Sequence, residues 1–209
     1  MDYVLIAVVL TNLTLLGSSR LRACIRAFAI QGAFVSVLPL LAPGHGPTLR
    51  VIAFAALVAA IKALVFPWLL ERAVRQANVP REVEPFVGFT TSLLVGVALL
   101  GASLWLGERL SPAGPGFNPR VAPVAFFTIF VGLFLIISRR KALSQVIGYL
   151  ALENGIYVFG AAQSHFMPLL EIGVLLDVFA AVFVMGIAMF HIGREFDHLD
   201  ADRLSSLKE

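Results

Sequence analysis

Charge is scarce in this sequence. Only 14% of its residues are Asp, Glu, Lys or Arg, against about a quarter in soluble domains. Cysteine is scarcer still. Cys24 stands alone, which excludes a disulfide framework and a cysteine metal site and leaves an inert buried thiol as the expectation. There are four histidines, His45, His165, His191 and His198. No two have metal-ligand spacing, and each reads as a solvated loop, helix-end or tail residue. The net charge of +3 does not describe a nucleic-acid surface. Basic residues sit in short clusters between apolar runs, with no basic face interleaved with aromatics. A basic n-region is missing as well: Met1-Asp2 leads straight into an apolar run, so that run is expected to be a retained helix and not a cleaved leader. No soluble domain and no fixed-period repeat separate the runs.

What is present is apolar. Hydrophobic residues make up 59% of the chain, and mean hydropathy is +0.90. A water-soluble fold lacks the polar residues to cover that much apolar surface. A bilayer core about 30 Å thick asks for about 20 largely apolar residues per spanning helix. That ruler predicts an all-α, polytopic transmembrane bundle of about seven helices. They fall near 2–18, 24–42, 50–70, 86–108, 120–138, 142–163 and 167–192. Proline and glycine mark the breaks, at Pro43-Gly44-His45-Gly46-Pro47, Pro80, Pro85, Pro112-Ala113-Gly114-Pro115-Gly116 and Pro119.

Orientation follows from lysine and arginine, which collect in cytoplasmic loops. Arg20, Arg22, Arg26, Arg72, Arg75, Arg81, Arg139, Arg140 and Lys141 fall on one side, joined by Arg194, Arg203 and Lys208 in the tail. Arg50, Arg109 and Arg120 fall on the other, at helix ends. Twelve against three predicts the N-terminus outside and the C-terminus inside.

Lys62 belongs to neither set, because it lies near the middle of the third span. An ionisable group at mid-membrane costs about 2.5–3.5 kcal/mol by insertion scales and needs an interior partner or water. Glu153 lies near the middle of the sixth span, and Asp177 about 15 Å into the seventh at 1.5 Å per residue. Those three share a depth. Glu171 is about 9 Å nearer the outer face, and the step of about 600° to Asp177 turns it to a different side. Burial disfavours charge, an opposite charge nearby favours it, and groups balanced between the two exchange protons near neutral pH. Tyr149 and Tyr157 flank Glu153 at helical spacing, and Asn154 adjoins it, so the acid has polar company able to hold a water. Lys62, Glu153 and Asp177 are therefore the candidate proton relay, with Glu171, Tyr149, Tyr157 and Asn154 as lesser members. A purely structural pairing of Lys62 with an acid is the other reading, and Glu171 reads equally well as a group reaching interfacial water. Pro67, five residues after Lys62, is expected to kink the third helix and free a carbonyl beside the lysine, and a plain kink without function is the equal alternative.

A family resemblance rests on particular segments. The last ninety or so residues run Phe130 to Ile137, Ser138-Arg139-Arg140-Lys141, Ile147-Gly148 through Glu153-Asn154, and then Asp177. This pattern resembles subunit K of respiratory complex I and its matching subunit in multisubunit sodium/proton antiporters. The whole chain resembles hydrogenase-4 component E of group 4 [NiFe]-hydrogenase and formate hydrogenlyase complexes. That likeness is carried by Gln145 through Ile156, Glu171-Ile172-Gly173-Val174-Leu175-Leu176-Asp177, Val184-Met185-Gly186-Ile187 and the tail from Asp200 to Lys208. Asp177 matches the third-helix glutamate of subunit K, and Asn154 matches the family asparagine. Glu153 comes one turn, about 5.4 Å, after the usual second-helix glutamate, whose place Leu150 takes. Lys62 has no counterpart in subunit K.

The resemblance implies a division into a four-helix transmembrane extension (1–119), a three-helix subunit K-like region (120–193) and a cytoplasmic tail (194–209). It implies a subunit without a catalytic centre or cofactor of its own, in a bacterial or archaeal cytoplasmic membrane. Its partners would be antiporter-like and anchor membrane subunits, lipid, and peripheral hydrogenase and iron–sulfur subunits. A nickel–iron site and iron–sulfur clusters would belong to those partners. The role implied is a share in proton or sodium translocation coupled to electron transfer; the alternative is a purely structural membrane anchor.

Overall fold

Inside a bilayer every backbone N–H and C=O must be satisfied within the protein, which leaves long apolar runs little choice but helix. The computed structural model describes residues 1–41, 48–76, 86–110, 118–160, 173, 177–184 and 186. Among these there are helices and no strand: α1 (Asp2–Gly17), α2 (Leu21–Leu41), α3 (Leu49–Ala59), α4 (Phe66–Gln76), α5 (Phe89–Leu110), α6 (Val121–Ser138) and α7 (Ala142–Gly160). A π-helical turn, Ala60–Val65, joins α3 to α4 in one rod. Residues 177–184 form a further helical segment. Four of the rods, Leu21–Leu41, Leu49–Arg75, Phe89–Leu110 and Val121–Ser138, are long and apolar enough to cross a membrane, and α1 is a shorter apolar helix. The protein is a multi-pass membrane protein. The end of the span expected at 142–163 and most of that at 167–192 lie outside the described residues.

Several boundaries differ from the sequence expectation. Helix α2 begins at Leu21 and α4 runs to Gln76, so Arg22, Arg26, Arg72 and Arg75 stand on helices and not in loops. All four are exposed. Hydropathy marks where apolar character ends, whereas a helix continues into the interface while its long basic side chains reach for water. Near Pro67 the rod continues through the π turn. Its closing residue, Phe66, donates its N–H to Ile61 O, five residues back. Pro67 has no N–H to offer Ala63 and its ring crowds that carbonyl, so the wider turn ends just before it.

Helix α2 packs against α1, α3, the π turn, α4 and α7, while α5 lies against α1 and α6. Helices α6 and α7 form the most extensive pair. They meet backbone to backbone. A Cβ added at Gly155 would lie 2.7 Å from Ile129 N, and one at Gly148 would lie 2.9 Å from Ile136 N. Small residues are what permit such close approach in membrane bundles.

Arg20, Arg139, Arg140 and Lys141 gather at one end. Arg139 is buried and donates to Leu16 O at the end of α1 (3.0 Å), and Phe86 N donates to Ser138 O (2.9 Å). Arg139 and Arg140 lie over the rings of Phe89 and Phe86. Desolvation pushes the Arg139 guanidinium below its ordinary pKa. At the opposite end Asp2 pairs with Arg120 and accepts from Asn118.

The apolar core comes in two clusters. One is built around Leu16, Phe28, Phe66, Val131 and Leu150, and the other around Val8, Val35, Val58, Val121 and Val158. The boundary between them is polar. Passing along α1, α2, the α3–α4 rod and α7, one crosses Asn12, Gln31, Lys62 and Glu153-Asn154 between residues of the two clusters, all of them buried.

Candidate functional site

The polar layer is built from residues that the helices cannot leave in hydrocarbon unpaired. Lys62 sits in the π turn, and the turn presses against α2 at Gly32. A Cβ there would fall 2.8 Å from Lys62 Cβ and 3.2 Å from its backbone carbonyl. From that position Lys62 Nζ reaches Glu153 Oε1 on α7 at 2.5 Å and Asp177 Oδ1 at 3.3 Å. The three residues are 1%, 1% and 3% exposed. This is one cation between two acids, enclosed in protein.

Tyr157, one turn beyond Glu153, lies under the ammonium, 5.8 Å from ring centroid to Nζ. Gly173 passes the same spot, where a Cβ would stand 3.9 Å from Glu153 Oε1. Tyr149, one turn the other way, makes no hydrogen bond to the triad. Its buried hydroxyl has no partner among the described residues, and its ring lines an apolar groove with Gln145, Phe179 and Phe183. Glu171 and the four histidines, His45, His165, His191 and His198, lie outside the described residues. Among the described residues no three His, Cys, Asp or Glu side chains are arranged to hold a metal.

Asn154 points to another neighbour. Its Nδ2 donates to Gln31 Oε1 on α2 (3.1 Å), Gln31 Nε2 donates to Asn12 Oδ1 on α1 (2.8 Å), and Asn12 Nδ2 donates to Thr128 Oγ1 on α6 (2.8 Å). The chain ends where Thr128 Oγ1 donates to Val124 O (2.7 Å). All four side chains are fully buried. Sequence reasoning missed Asn12, Gln31 and Thr128. Their signal was the one that exposed Lys62, a polar group in the middle of an apolar run.

Chemically, the layer offers a lysine bonded to two carboxylates at once, and a neutral hydrogen-bonded chain leading away from the residue next to one of them. Glu153 Oε2 and Asn154 Oδ1 are buried and have no donor among the described residues.

Two kinds of relative align with the chain. The uncharacterized protein Rv0085 of Mycobacterium tuberculosis is 34% identical over 210 residues, covering all of this chain and 96% of its own length. Hydrogenase-4 component E of Escherichia coli K12 is 31% identical over 151 residues, 70% of this chain and 68% of that protein. The protein of the same name from Shigella flexneri matches to the same extent. No family model matches, and no solved structure does. With that identity extending over two thirds of both proteins, the chain belongs to the hydrogenase-4 component E family.

Proposed function

We propose that this chain is a non-catalytic membrane subunit of a complex I-like hydrogenase complex, and that Lys62, Glu153 and Asp177 form part of a proton (or sodium) translocation axis coupled to electron transfer in its partners. The partners are antiporter-like and anchor membrane subunits, together with a peripheral arm holding iron–sulfur clusters and a nickel–iron site. The membrane is the bacterial or archaeal cytoplasmic membrane. Seven helices cross it, with the basic end of the bundle and the C-terminus in the cytoplasm.

The supporting observation is the buried triad. With all three groups ionised it carries one excess negative charge, and enclosing an uncompensated charge is costly. An electroneutral triad therefore holds one proton more than its ammonium, on one acid or the other. Movement of Lys62 between Glu153 and Asp177 would pass that proton along without creating net charge. The direct 2.5 Å contact also fits a static clamp, which is the anchor-only reading.

Paired variants separate the two. In inverted membrane vesicles carrying the whole complex, Glu153→Gln and Asp177→Asn are each expected to abolish ion uptake driven by turnover while leaving the complex assembled. Undiminished uptake per turnover in both would overturn the relay.

A further inference from the structure

The amide chain has a direction, and the direction is set at its far end. Val124 O is a backbone carbonyl and can only accept, so the Thr128 hydroxyl must donate to it. That leaves Thr128 Oγ1 as an acceptor, which obliges Asn12 to present Nδ2 to it and to turn Oδ1 toward Gln31. Gln31 must then offer Nε2 to Asn12 and Oε1 to Asn154. Asn154 answers with Nδ2. Each amide has one donor end and one acceptor end, so the last free end is fixed: Asn154 Oδ1, buried and with no donor among the described residues.

We propose that Thr128, Asn12 and Gln31 are positioning residues for Glu153: their one-way chain across α6, α1 and α2 holds the Asn154 amide with its carbonyl oxygen, and not its NH₂, free in the interior at the residue next to Glu153. This rests on the relay reading of Glu153.

Asn154 Oδ1 and, in the ionised form of the acid, Glu153 Oε2 are buried acceptors with no donor among the described residues, and each matches a group that donates. Water is the smallest, and one site of this kind typically takes a water making about three hydrogen bonds. Were the chain reversed, an NH₂ group would stand there and would match an acceptor instead. The charged and titratable groups near the carboxyl are Lys62 from the π turn, Asp177 from the segment 177–184, and Tyr149 and Tyr157 from its own helix. None of them belongs to the amide chain. Removing the Thr128 hydroxyl therefore alters the polarity of the chain and leaves the charges around Glu153 in place.

The test is infrared difference spectroscopy of the intact purified complex between acid and alkaline buffer, with the Glu153 carboxyl band assigned by its loss in Glu153→Gln. Thr128→Val keeps the side-chain shape and removes the hydroxyl. It is expected to shift the band, while Thr128→Ser leaves it at the wild-type position. Asn12→Ala cuts the chain at another link and is expected to shift the band as well, so the outcome does not depend on one variant assembling. A band identical to wild type in both Thr128→Val and Asn12→Ala overturns the positioning role alone. A wild-type complex in which Glu153 gives no band at any pH overturns the relay, and the positioning role with it.

Discussion

At the residue, Lys62 decides the character of the site. A buried ion pair contributes little beyond what packed apolar residues of like volume would give, yet removing one partner typically costs about 3–5 kcal/mol because the other charge is left uncompensated. Lys62→Met strands two carboxylates that are almost wholly enclosed. It is expected to reduce the abundance of the subunit in membranes sharply, as read by blotting and by thermal denaturation of the complex. The triple variant Lys62→Met, Glu153→Gln, Asp177→Asn carries no charge in the layer and is expected to recover most of that loss. If the triple variant is no more stable than Lys62→Met alone, charge compensation is not what holds the layer together. The common depth of these three groups is legible in the sequence, because each interrupts an apolar run and helix rise converts residue count to ångströms. The identity of their contacts is not. Nothing in the order of residues says that Asn154 turns to Gln31 while Glu153 turns to Lys62, since a difference of one residue, about 100° of helix, points them at different neighbours.

At the element, the two features that matter are the π turn and the seam between α6 and α7. Pro67 hints at the first, but whether a helix meets a proline by kinking or by widening one turn depends on what lies beside it. Here Gly32 gives the widened turn room against α2. The seam was out of reach of hydropathy, which scores glycine as nearly neutral and cannot tell a glycine facing lipid from one against a neighbouring backbone. Gly101 has open space around it, while Gly148 abuts Leu135 and Ile136. Gly148→Ala is accordingly expected to destabilise the subunit by about 1–3 kcal/mol, the usual cost of overpacking, and Gly101→Ala to be neutral. Thermal unfolding of the complex in detergent checks both. Equal effects at the two positions would mean that α6 and α7 do not meet backbone to backbone. The buried faces of α7 also explain why it can carry Gln145, Glu153 and Asn154: a helix surrounded by other helices is not obliged to be apolar all round.

At the scale of the molecule, the surface and the charges make separate statements. Leu10, Leu64, Trp68, Leu94, Val97, Ile137 and Val182 are among the large apolar side chains left exposed. Patches of this kind belong against lipid or against neighbouring subunits. The segregation of charge adds a direction. Arg139 bonded to Leu16 O places the α6–α7 turn beside the α1–α2 turn, so Arg20, Arg22, Arg139, Arg140 and Lys141 share one end, while Thr48 opens α3 at the other. Ser19 and Thr48 are exposed at these opposite ends, and Cys24 is the single native cysteine. In a Cys24→Ser background, Thr48→Cys is therefore expected to react with a membrane-impermeant maleimide in intact cells. Ser19→Cys should react only once the membrane is opened, since lysine and arginine favour the cytoplasmic side of short loops. The reverse pattern would put the basic end outside and invert the whole bundle. It would leave the buried triad intact but require any proton path through it to take up and release on the opposite faces.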